Sequence, residues 1–257
     1  MIGEFGQIQY SLIEGQINLG NIIEKNVIKK EEVPSLPSNE ESSKSELEEI
    51  VSKEMKRLSI KYFKGREFKT DDASKWIDGY IEDMQIFVKN KFQDYKFFLC
   101  VLTYKKGKNT VRISNKHLYF AKTDGFIKEI YKDKISVYSY LMYIKKKNFS
   151  LEISMTDFEN YMKPKMKKIL NSYLEQRKYE HEEFEDYSKG IQEEIKREIC
   201  DYSKKICCNI IIIFLKKPTD GYSITWKWLS GNNINRFYEK YDGEYTRCLG
   251  IIGSCFP

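Results

Sequence analysis

The sequence predicts an α+β protein built as two tandem domains, each with two helices packed on a four-stranded antiparallel sheet. Three observations carry this. Two apolar helical stripes precede four short strand-like runs; the same order recurs about 110 residues later; and 257 residues with 41% hydrophobic content suffice for two modest cores.

The first 44 residues differ from the rest. They hold scattered apolar residues (Ile8, Tyr10, Leu12, Ile13, Ile17) and then a Pro-, Ser- and Glu-rich stretch from Glu31 to Ser43. Such a stretch lacks the apolar surface needed to order itself. It reads as an extended arm, residues 1–44, that needs a partner to hold it, and a neighbouring subunit is the expected support.

Ser45-Glu46-Leu47-Glu48 has the capping-box pattern of a helix start. Leu47, Ile50, Val51, Met55, Leu58 and Tyr62 continue it as one apolar stripe. A second helix begins near Thr70-Asp71-Asp72, with Ala73, Trp76, Ile77, Tyr80, Ile81, Met84, Phe87 and Val88 on its inner face. The period then changes. Phe97-Phe98-Leu99-Cys100-Val101-Leu102-Thr103-Tyr104 reads as a strand buried on both faces. Gly107 and Asn109 mark a turn, and Val111, Ile113 and Leu118-Tyr119-Phe120 a second strand. Residues 126–131 and 135–144 supply two more, and the short connections predict a meander.

The second copy repeats the order. Thr156-Asp157-Phe158-Glu159 is a capping-box candidate, Pro164 suits a first turn, and Met162, Met166, Ile169, Leu170, Tyr173 and Leu174 form a stripe. Tyr187, Ile191, Ile195 and Ile199 form another. Strands follow at 206–215, 222–228, 234–241 and 245–254. Trp76 aligns with Tyr187, Lys105 with Lys216 and Leu118 with Leu229 at an offset of 111. Ile81 aligns with Ile191, Tyr104 with Phe214 and Tyr131 with Tyr241 at 110. The predicted domains are 45–147 and 158–257, with 148–157 as linker.

Composition narrows the function. The net charge of +6 is the difference between 44 basic and 38 acidic residues, so a mixed, solvated surface is expected rather than a nucleic-acid face. Six cysteines occur without a Cys-x-x-Cys pair, which argues for free thiols in a reducing compartment and against zinc. The start of the chain lacks a basic n-region and apolar core, so no leader is expected. The apolar run 206–215 is far shorter than the roughly 20 residues that span a bilayer. His117 and His181 stand in no nucleophile or metal motif, and no phosphate-binding glycine loop occurs. No catalytic residue, metal or cofactor is predicted.

The first copy carries Tyr95-Lys96, Cys100-Val101, Thr123-Asp124-Gly125 and the closing strand 137–144. The second carries Tyr161-Met162-Lys163-Pro164, Ile169-Leu170, Tyr173-Leu174, Tyr179, Ile191, Ile195 and Lys196. In these residues both copies resemble the Tctex-type dynein light chain family. The second copy carries Gly231-Asn232-Asn233 where the family often has an acidic turn. Both copies lack the family's Trp-Asp near the end of the second strand.

The resemblance implies two helices on a four-stranded sheet, and dimerisation by exchange of the second strand. In a tandem chain it implies an intramolecular pseudo-dimer, favoured by the high effective concentration of linked copies. It further implies a non-enzymatic adaptor that binds a dynein intermediate-chain segment along a sheet edge, alongside other dynein light chains, in the cytoplasm and cytoskeleton and in particular the axoneme. The expected edges are the third strands, with Phe126, Ile127, Ile130, Ile234, Phe237 and Tyr241 as partner-binding residues. The competing readings are a scaffold subunit of another assembly and an RNA-binding module with Tyr222, Trp226 and Trp228 as stacking platform. An enzyme is the remaining alternative.

Overall fold

The structure is a computed structural model, described here for residues 6–10, 39–105, 111–118, 123–146, 154–175, 183–204, 206–217, 222–230 and 234–255. A short strand, β1 (Gly6–Tyr10), comes first. The first copy contributes α1 (Asn39–Phe63), α2 (Thr70–Lys91), β2 (Tyr95–Lys105), β3 (Val111–Leu118), β4 (Gly125–Lys132) and β5 (Ile135–Lys145). The second contributes α3 (Met155–Leu174), α4 (Phe184–Tyr202), β6 (Cys207–Lys216), β7 (Tyr222–Ser230), β8 (Ile234–Asp242) and β9 (Thr246–Cys255). The two tandem α+β units predicted from the stripes are therefore present.

Helix boundaries differ from the sequence expectation. α1 begins at Asn39, before the Ser45 capping box, so Ser45 lies inside the helix. In α3 the cap is Ser154, whose hydroxyl accepts from the Asp157 amide at 3.3 Å. Because α3 starts there, Pro164 falls in the interior and not in the first turn. The N–H it lacks leaves one helical carbonyl without its donor. α2 carries Asp71 and Asp72 in its first turn and Lys89 and Lys91 in its last, matching the helix dipole.

The predicted meander does not form. The two sheets run β1-β7-β2-β5-β4 and β3-β6-β9-β8. β3 leaves the first copy to pair antiparallel with β6, and β7 leaves the second copy to pair antiparallel with β2. The exchange is reciprocal and in matching register: Tyr104 stands opposite Tyr222, and Leu215 opposite Val111, each residue 111 from its counterpart. The expectation that the arm rests on a neighbouring subunit is corrected for β1, which pairs with β7 of the same chain. The rest of the arm before α1 lies outside the described residues.

The molecule has four layers. The outer core of the first sheet holds Phe97, Leu99, Val101, Leu141 and Tyr143 under α1 and α2. The outer core of the second holds Cys208, Ile210, Ile212, Phe214 and Ile252 under α3 and α4. Between the sheets lies a third core, with Phe98, Cys100, Leu102, Tyr140, Met142 and Trp226 of the first sheet against Ile211, Ile213, Leu249 and Ile251 of the second. Successive strand residues alternate between faces, so β2 and β6, buried on both, must be apolar at nearly every position.

The helices keep the same offset. Tyr62 on α1 crosses α2 at Gly79, where a Cβ would lie 2.6 Å from its ring, and donates to Asp83 at 2.9 Å. Tyr173 crosses Gly190, again at 2.6 Å, and donates to Glu194 at 3.0 Å. All three positions repeat at 111. Tyr80, Met84 and Val88 thus correspond to Ile191, Ile195 and Ile199, and the pairing of Ile81 with Ile191 is corrected by one residue. Tyr104 likewise corresponds to Leu215 and not to Phe214. The one-residue slip falls in β8: Gly125 pairs with Tyr143 but Ile234 with Cys255, so Tyr131 and Tyr241 stay equivalent at 110.

Candidate partner-binding site

The exchanged strands form the seam between the copies. β7 is held to the first copy by side chains as well as by its ladder. The Ser74 and Ser223 hydroxyls lie 3.3 Å apart, Gln85 donates to the Leu229 carbonyl at 3.0 Å, and Lys227 donates to Gln85 at 3.1 Å. β3 is held to α4 by Ser114, which donates to Gln192 at 3.1 Å, and by an ion pair between Lys116 and Glu193. Across the sheets, Arg236 of β8 donates to the Trp226 carbonyl at 2.8 Å, and Asn115 of β3 donates to the Tyr138 hydroxyl at 2.9 Å.

His117 closes the β3 end of the seam. Its ring stacks on Phe126 at 4.5 Å and on Tyr140 at 5.4 Å, and the Tyr140 hydroxyl is hydrogen-bonded to it. Burial pushes the imidazole down to about 3. The folded state therefore binds fewer protons than the unfolded chain between pH 6.5 and about 3, and stability falls as pH drops through that window. From pH 7.5 to pH 5.0 this histidine alone is expected to cost about 2 kcal/mol. Urea unfolding at the two values, compared with His117→Gln, checks it. The substituted chain should show the shallower pH dependence, and equal slopes would contradict the assignment.

The expected partner-binding residues lie on strands that are sheet edges. β4 ends the first sheet and β8 the second. The six side chains divide by strand alternation. Ile127 and Phe237 are buried under the helices, at 6% and 3% exposure. Tyr241 packs against the same outer core as Phe237, and its hydroxyl donates to the Leu174 carbonyl at 2.8 Å. Phe126 is exposed, Ile130 is partly so, and Ile234 packs partly against the inter-sheet core. The sequence reading did not single out β3 as an edge. The exchange makes it one, since β3 pairs only with β6 among the described residues.

The RNA reading is overturned at its platform. Tyr222, Trp226 and Trp228 lie between the two sheets at 6% exposure or less, where no base can stack on them. Cys100, Cys207, Cys208 and Cys248 are buried, and burial pushes the Cys100 thiol up to about 12. Lys163 and Lys165, in the densest basic stretch of the second copy, pair with Glu159 and Glu198. Among the described residues no group of three or more His, Cys, Asp or Glu could hold a metal ion. His181 lies outside them. A groove along α3 is lined by Pro164, Lys167, Lys168, Asn171, Ser172 and Glu175, and the Ser172 hydroxyl donates to the Ile169 carbonyl at 2.8 Å. No helix among the described residues is long and apolar enough to cross a membrane.

The family pattern of Tctex-1 matches the chain twice, over residues 42–144 and 159–233. The first match runs from α1 to the end of β5, and the second from α3 into the loop after β7. A comparison with curated proteins gives no match.

Proposed function

Since the chain belongs to the Tctex-1 family in two tandem copies, we propose that it is a non-catalytic adaptor of the dynein light-chain type. It binds a segment of a dynein intermediate chain by strand addition, and so helps assemble or anchor a motor complex together with other light chains. The family supports a general light-chain role, a dynein kind of partner and association with the cytoplasmic cytoskeleton. The axoneme is the proposed site of action.

The reciprocal strand exchange carries the reading. It builds a two-sheet body whose helices cover the outer faces, while the terminal strands, β1 and β4 of one sheet and β3 and β8 of the other, each keep one backbone edge open among the described residues. An open edge offers unpaired N–H and C=O groups, which an extended segment can pair with in alternation. Phe126 and Ile130 on β4, and Ile234 and Tyr241 on β8, are the side chains proposed to meet the added segment. Ile127 and Phe237 set the positions of those strands from within the cores.

Purification of the native protein with its stoichiometric partners tests this. A dynein intermediate chain in the purified set is the expected result. A reproducible set with no dynein subunit would overturn the reading in favour of a scaffold of another assembly. Phe126→Asp should weaken capture about tenfold, the loss of one interface anchor worth about 1.4 kcal/mol.

A further inference from the structure

The two exchanged strands are equivalent, yet their outer edges are not treated alike. β7 runs along the rim of the first sheet and β3 along the rim of the second, in the same register against β2 and β6. The outer side of β7 carries β1, whereas β3 has no fifth strand beside it among the described residues.

The pairing of β1 suits its sequence. Ile8 stands opposite Ile224 and Tyr10 opposite Tyr222, while Gln7 and Gln9 stand opposite Thr225 and Ser223. Apolar positions face apolar positions and polar face polar, along a strand in which Ile224 and Tyr222 belong to the inter-sheet core and Thr225 and Ser223 to the opposite face. A one-residue slip would reverse every one of these matches. α2 also approaches β1, so the strand lies between a ladder and a helix. The 28 residues between Tyr10 and Asn39 could span up to roughly 90 Å if fully extended, so the tether permits the contact within one chain.

We propose that Gly6–Tyr10 is an internal occupant of one of the two equivalent strand-addition sites on the exchanged strands, leaving its counterpart on β3 open in addition to the edges of β4 and β8. The open counterpart of the covered stretch 222–226 is residues 111–115, at the offset of 111. Covalent attachment gives the internal segment a large concentration advantage over a free peptide. An adaptor of two similar halves thereby becomes unequal at its two exchanged strands. The inference rests on strand addition as the binding mode but not on the identity of the motor.

The experiment uses the full chain and its Ile8→Pro/Gln9→Pro variant. Successive N–H groups along a strand point to opposite sides, so one of the two substitutions removes a donor aimed at β7. Amide hydrogen exchange is read along β7. In the full chain both sets of alternate β7 amides are expected to be protected, one by β2 and the other by β1. In the variant, the set facing β1 should exchange at least tenfold faster while the set facing β2 stays protected. A synthetic peptide of residues 1–12 should restore that protection in the variant and leave the full chain unchanged. Identical protection in the two chains would overturn the proposal. So would loss of both sets, which would make β1 a structural part of the sheet and not a removable occupant. Because the probe is the chain's own segment, failure here is distinct from failure to capture a dynein intermediate chain.

Discussion

Expressed apart, residues 39–147 and 154–257 are expected to yield no stable monomers. The first half alone would lose β7, and with it the buried side chains Tyr222, Ile224, Trp226, Trp228 and Leu229. At roughly 1.5–3 kcal/mol for each large apolar side chain, the loss is on the order of 10 kcal/mol, comparable to the whole stability of a typical domain. The second half would likewise lose β3, and both would expose the inter-sheet core. Mixed in equal amounts, the halves should form one complex holding a single copy of each, checked by light scattering and by recovery of a cooperative unfolding transition.

Self-pairing is the alternative open to each half, and the sequence disfavours it in the first. There β3 would have to stand in for β7, placing Asn115 where Trp226 belongs and His117 where Trp228 belongs. Polar groups would then replace the two largest side chains of that core, so the mixed complex is favoured over the first half's homodimer. A monomeric first half with a cooperative transition of its own would contradict this account of the seam.

Trp226→Ala is the single substitution expected to do most damage. Trp226 is 1% exposed, meets Tyr238 edge-on at 5.3 Å and stands opposite Cys100 in the exchanged ladder. Truncation leaves a cavity between the sheets, with an expected loss of about 3–5 kcal/mol. For a chain of this size that corresponds to a fall in melting temperature of roughly 10 °C. Ile86→Ala is the control, since Ile86 on α2 is 60% exposed and should change stability by less than about 0.5 kcal/mol. Calorimetry distinguishes them. A shift at Trp226 no larger than at Ile86 would mean that the two sheets are not packed on each other.

The duplication could be read from the chain because it is written in local patterns. Runs such as Phe97–Leu102 and Ile210–Leu215 are apolar at every position and rich in β-branched and aromatic residues, as a strand covered on both faces requires. Gly253, a glycine in an apolar strand, proved to be a packing device: a Cβ there would lie 2.5 Å from the Phe98 ring. The exchange itself left no local trace. A strand's alternation records which face is buried and not which neighbour supplies the ladder, so short connections pointed to a meander. The same limit explains the tryptophans: Trp226 and Trp228 alternate as strand residues whether their face meets solvent or another sheet. The edge residues were legible as strands, but alternation alone does not say which face the helices cover: they bury Ile127, while Phe126 on the other face stays partly exposed beside His117. Ile8 and Tyr10 alternate with glutamines in a segment otherwise read as an arm, and their pairing with β7 depends on an edge that exists only after exchange.

One chain supplies both partners of the exchanged pair. A map of backbone nuclear Overhauser contacts, recorded where the protein has the mass of one 30.6 kDa chain, is the decisive test. Contacts joining β2 to β7, as between Leu102 and Ile224, and β6 to β3, as between Ile212 and Ser114, are the predicted result. Contacts joining β2 to β3 and β6 to β7, or the same exchange found only in a particle of two chains, would contradict it.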